Sequence, residues 1–132
     1  MKLLRAGLCL AAFACAMSAQ DDVAFQKWMK TIGGQMGALR KMESKTGPEA
    51  AESAAKLSAV FGDMGAFWSS RNAEDAVKLS SEGKAAADDL AAAAKAGDAE
   101  KANAAFKTIG GTCKGCHDAH REKVGENGYK IK

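Results

Sequence analysis

The stretch GGTCKGCHDAHR, residues 110–121, carries Cys113, Cys116 and His117 within five positions, close to the end of a 132-residue chain. Two cysteines three apart, followed directly by a histidine, admit three chemistries: a thiol redox pair, half of a zinc site, or a haem anchor. Its surroundings decide among them. Upstream, Ala102, Ala105, Phe106 and Ile109 recur at spacings of three and four and continue into Cys113, Cys116, His117, His120 and Val124. That is one stripe of a helix expected from Ala99 to about Val124, so the motif shares the face that carries the apolar residues.

Three more helices are expected before it. The first runs from about Asp21 to Lys45, with Phe25, Trp28, Met29, Ile32, Met36, Leu39 and Met42 as its stripe. Gly47 stops it and Pro48 suits the first position of the next. The second runs from Pro48 to about Trp68 on Ala50, Ala54, Leu57, Phe61, Met64, Phe67 and Trp68. Asn72 is the expected cap of the third, which continues to about Ala96 on Ala73, Val77, Ser80, Lys84, Ala87, Leu90, Ala91 and Ala94. Gly97 ends that helix and Asp98 caps the fourth. A single proline, abundant alanine and no alternating β-branched run favour helix throughout. Four helices of about 20 residues on short turns predict an all-α, antiparallel up-down-up-down bundle. The tail GENGYKIK, residues 125–132, reads as polar and loose.

Residues 1–20 are a separate object. Lys2 and Arg5 precede the short apolar run LCLAAFACA, and small residues follow before Asp21 and Asp22. This is the pattern of a cleaved secretory signal peptide, which sends the chain to the periplasm and leaves residues 21–132 as one domain. The run is too short to span a bilayer. A lipid on Cys15 is the competing reading, but Ala12 stands where a leucine is usual. Cleavage removes Cys9 and Cys15, so Cys113 and Cys116 remain alone. It also removes Lys2 and Arg5, leaving 17 of 19 basic residues against 16 acids. A charge near +1 is no footprint for nucleic acid.

The motif then resolves. A structural zinc site needs four ligands, usually two such pairs, and His120 alone supplies no second pair. A thioredoxin-like pair sits near a βαβ unit, absent from this pattern. A disulfide across two intervening residues closes a tiny, strained loop. Cys-Lys-Gly-Cys-His fits c-type haem attachment: each thiol forms a thioether with a vinyl group, and the adjacent His117 is held under the iron. Gly33, Gly34, Gly37, Gly110 and Gly111 lie inside helical patterns. They serve either close helix–helix contact or a flat cofactor lying in the bundle.

The layout resembles the class II c-type cytochromes, the cytochrome c′ group, on the stretches WMKTIGGQMGAL (28–39) and FKTIGGTCKGCHDAHR (106–121). The resemblance implies one covalent haem c and a distal residue on helix one. Low-spin members place a methionine there and carry electrons; high-spin members place an apolar residue and leave the iron open. The matching position is Met29, with Met36 as second candidate. The expectation is therefore a periplasmic electron carrier, with no bond-making reaction of its own, ligated by His117 and Met29. The alternative is a high-spin cytochrome c′ binding nitric oxide or carbon monoxide, and a thiol or zinc protein is the distant third.

The resemblance further implies that Arg121 lies in the haem vicinity near the proximal face. It departs from the family at His120, where an aromatic residue is common, and at Phe25, where an arginine near the propionates is often found. Gln26 and Lys27 are the remaining candidates for that contact. Trp28, Phe61, Phe67 and Trp68 are candidates to flank the ring or to be plain core. Redox proteins docking transiently, and a homodimer through the first two helices as is common in the family, are the implied partners.

Overall fold

A computed structural model describes the backbone of residues 8–126 and 128–132, and the side chains of 22–126 and 128–132. The chain folds as α1 (Leu8–Lys41), α2 (Pro48–Ser70), α3 (Glu74–Ala96) and α4 (Ala99–His120), followed by strands β1 (Arg121–Val124) and β2 (Gly128–Ile131). The first seven residues of the expected signal peptide lie outside the described residues, as do the side chains of Cys9 and Cys15.

Most boundaries follow from local chemistry. Pro48 opens α2, where its missing N–H costs nothing. Gly97 closes α3 in the left-handed region at φ 70°, and the Asp98 carboxylate accepts from the Lys101 N–H at 3.1 Å, capping α4. Arg40 and Lys41 lie in the last turn of α1, where cations suit the negative helix end.

Several expectations are corrected. Helix α1 begins at Leu8 rather than Asp21, because no glycine or proline separates the alanine-rich run from Asp21. It ends at Lys41 rather than Lys45, since Lys45 takes a positive φ of 51°. Asn72 is no cap: it sits at φ 56° in the turn, and Ala73 stands at the N-cap without a side-chain hydrogen bond. Lys84 is exposed, and its neighbour Gly83 faces inward instead. A Cβ on Gly83 would lie 2.6 Å from Phe61 Cε1, so the ring of α2 rests directly on the α3 backbone. Helix α4 stops at His120, and Val124 is exposed in β1 rather than inward. The tail is an antiparallel hairpin pairing Arg121 with Ile131 and Val124 with Gly128.

The helices do not pack evenly. α2 lies along α3 and α3 along α4, while α1 packs on α2 and stands off α4. One end of the bundle is closed by Leu39, Leu57, Leu90 and several fully buried alanines, including Ala54 and Ala94. Small side chains let the helices approach there, and the Gly47 N–H donates to Ala94 O at 3.0 Å across the end. At the other end Phe25, Trp28, Phe67 and Trp68 form an aromatic cluster with centroids 4.7–6.1 Å apart, edge-on except for the tilted Phe25–Phe67 pair.

Candidate functional site

Between α1 and α4 runs a cavity of about 640 Å3, within the range of cofactor sites. Cys113, Cys116 and His117 enter it from α4, and positions i, i+3 and i+4 fall on one helical face. Phe25, Met29, Ile32 and Met36 face it from α1, and Phe61, Met64 and Trp68 from α2. So the residues that the sequence singles out as ligands and anchors, Met29 on α1 and Cys113, Cys116 and His117 on α4, meet in one space.

The electrostatics follow from burial. Cys113 and Cys116 form no disulfide with each other. Burial raises the pKa of both, and for Cys116 the neighbouring Cys113 and Asp75 add to the effect. Burial lowers that of His117, the Arg121 charge lowers it further, and Asp118 opposes both. The result favours a neutral imidazole, the form that binds a metal.

Other candidates fall into place. Arg121 lines the cavity, its N–H donates to His117 O at the end of α4, and its guanidinium carbon lies 4.0 Å from the Tyr129 ring centroid. His120 is no open ligand: its Nε2 is 2.7 Å from Asp75 Oδ2 and its ring packs on Trp68 at 4.7 Å. Phe25 is buried in the aromatic cluster, whereas Gln26 and Lys27 are exposed. Gln26 lines the cavity. Trp28 is half-buried on Phe25 and Phe67. The sequence reading missed Tyr129 and Ile131, which line the cavity from the hairpin. A signal for the hairpin was present in Gly125, directly after REKV, which takes the turn conformation at φ 66°.

The residues fit a flat, largely apolar macrocycle. A Cβ on Gly33, Gly34, Gly37, Gly110 or Gly111 would meet nothing within 4 Å, so close helix–helix contact does not explain these glycines. Two of them, Gly33 and Gly110, line the cavity itself. Trp68 Nε1 is buried in the wall without a hydrogen-bond partner among the described residues. No group of three or more histidine, cysteine or acidic residues among the described residues could hold a bare metal ion, which leaves the zinc reading without support.

The Cys-x-x-Cys-His motif thus lies on the last helix of a four-helix bundle and faces a largely apolar cavity. Comparison with known proteins sharpens this. The family model described as Cytochrome C′ matches residues 64–121. The cytochrome c′ of Allochromatium vinosum is 28% identical over 143 aligned residues, covering 92% of this chain and 93% of that one. The cytochrome c′ of Alcaligenes xylosoxydans xylosoxydans is 59% identical over 34 residues, covering 26% of this chain and 27% of its own. In fold, the crystal structure of cytochrome c′ from Thermochromatium tepidum superposes with a TM-score of 0.64 at 22% identity, over 86% of this chain and 95% of that one. A cytochrome c′ with ligand-controlled dimer dissociation matches equally, with a TM-score of 0.64 at 24% identity over the same shares. The chain is thus similar in sequence to the cytochrome c′ family of class II c-type cytochromes, whose cofactor is covalently attached haem c with its iron, and shares its fold. These comparisons give no support to the expected low-spin methionine-ligated subgroup, since the relatives are cytochromes c′.

Proposed function

We propose that this chain is an exported monohaem cytochrome c′ that binds a small diatomic gas, nitric oxide or carbon monoxide, on the α1 side of its cavity. The carrying observation is the apolar part of that side: beside the polar Asp22, Gln26, Lys30 and Arg40 of the same helix, Phe25, Met29, Ile32 and Met36 turn carbon, ring and thioether surface into the space. An apolar wall admits a small, weakly hydrated molecule at little cost. It penalises water or a charged ligand, which would lose hydrogen bonds without replacement. The cytochrome c′ relatives support the same reading.

Each residue then has a role. Cys113 and Cys116 would hold the haem on α4, each thiol S–H adding across one vinyl group to give a C–S bond and a C–H bond. His117, whose pKa burial lowers, would supply the imidazole that ligates the iron. Arg121 lies beside His117. Residues 1–20 direct export to the periplasm; no helix among the described residues is long and apolar enough to cross a membrane. The bound haem supplies an iron centre that takes up ligands and electrons.

A second reading, electron carriage with Met29 as sixth ligand and transient redox partners, is favoured by Met29 lining this same cavity. Optical spectra of the oxidised and reduced holoprotein, with and without carbon monoxide, separate the two. Five-coordinate high-spin iron that binds carbon monoxide and is unaltered in spin state by Met29→Leu supports gas binding. A six-coordinate low-spin spectrum that Met29→Leu converts to high spin supports the carrier and sinks the first reading.

A further inference from the structure

The hairpin that follows α4 builds one wall of the cavity. Its register sets Arg121 opposite Ile131 and Lys123 opposite Tyr129. Side chains alternate along a strand, so Arg121, Lys123, Tyr129 and Ile131 share one face and Glu122 and Lys130 the other. Arg121 and Tyr129 are diagonal neighbours, a separation that long and aromatic side chains bridge. The guanidinium carbon indeed lies 4.0 Å from the ring centroid. On the opposite face Lys130 Nζ and Glu122 Oε2 pair at 3.4 Å. The Lys132 N–H donates to His120 O at 3.0 Å, which docks the hairpin on the end of α4.

Arg121 forms no ion pair among the described residues, so no carboxylate fixes its head group. A free arginine side chain samples many rotamers. Stacking on an aromatic face removes much of that freedom while leaving the charge unneutralised. Both residues line the cavity with His117, four positions before Arg121.

We propose that Tyr129 is a positioning residue: its ring holds the Arg121 guanidinium beside His117, where the fixed positive charge raises the reduction potential of the haem that His117 ligates. A cation near the iron disfavours the more positive, oxidised state, and an immobilised cation does so more than a solvated, mobile one. The inference rests on His117 as proximal ligand.

The test uses the full-length holoprotein and measures the midpoint potential by spectroelectrochemical titration. Tyr129→Ala and Arg121→Gln are each expected to shift it negative. Tyr129→Phe, which keeps the ring face, should retain the wild-type value. In the Arg121→Gln background, Tyr129→Ala should add no further shift. An unchanged midpoint in Tyr129→Ala overturns the proposal, as does a Tyr129→Phe shift equal to that of alanine. An additive shift in the double variant also overturns it, because the hairpin would then act through general loosening. A wild-type spectrum without histidine-ligated haem c would instead remove the underlying reading, and the proposal with it.

Discussion

His120 Nε2 lies 2.7 Å from Asp75 Oδ2, tying the last residue of α4 to the first turn of α3, and the same imidazole packs on Trp68. The contact fastens the end of the bundle at which the cavity lies. His120→Ala should destabilise the apoprotein by about 1 kcal/mol through the lost ring packing alone. Asp75→Asn should cost less, since Asp75 is exposed and only its carboxylate contact changes. Denaturant titration of the two variants checks the order.

His117→Ala keeps both anchoring sulfurs but removes the only imidazole of the motif. Covalent haem should still be found by mass, while the native optical spectrum is lost. A native spectrum in this variant would remove His117 from the iron.

Two glycines should respond in opposite ways. Gly83→Ala forces a methyl group against Phe61 Cε1 at 2.6 Å, and such overpacking costs about 1–3 kcal/mol. Gly33 lies in the cavity wall with nothing within 4 Å of a built Cβ. Gly33→Leu should leave the apoprotein melting temperature unchanged or higher, yet lower the fraction carrying haem. Paired melting curves and haem-to-protein ratios read both effects.

Asp88 accepts from the Ser58 hydroxyl and pairs with Lys84 Nζ at 3.0 Å, and these contacts lower its pKa. A carboxyl group with a depressed folded pKa adds stability above its unfolded value, and that contribution is lost as pH falls through the folded one. Wild-type stability should therefore decline below about pH 4 more steeply than that of Asp88→Asn. The difference should stay within about 1 kcal/mol, because the Lys84 pair is solvent-exposed. Denaturant midpoints between about pH 3 and pH 6 test it.

The bundle was legible because its signals are local. The stripe Ala50, Ala54, Leu57, Phe61, Met64, Phe67 and Trp68 is buried as the 3.6-residue period requires. Gly97 and Asp98 punctuate the chain by backbone geometry that needs no distant partner. On α3 periodicity points to no single face, because alanine makes every face look alike. Only the ring of Phe61, reaching over from α2, singles out Gly83 rather than Lys84 as the inward position.

Sequence alone therefore determined four helices, their turns, and a Cys-x-x-Cys-His anchor on one face of the last, since periodicity, caps and spacing act within a few residues. Tertiary structure alone decided that α1 stands off α4 and that the tail folds back so Tyr129 covers Arg121. Those relations join residues far apart in the chain or depend on strand register, and are set by how side-chain volumes fill the space between elements.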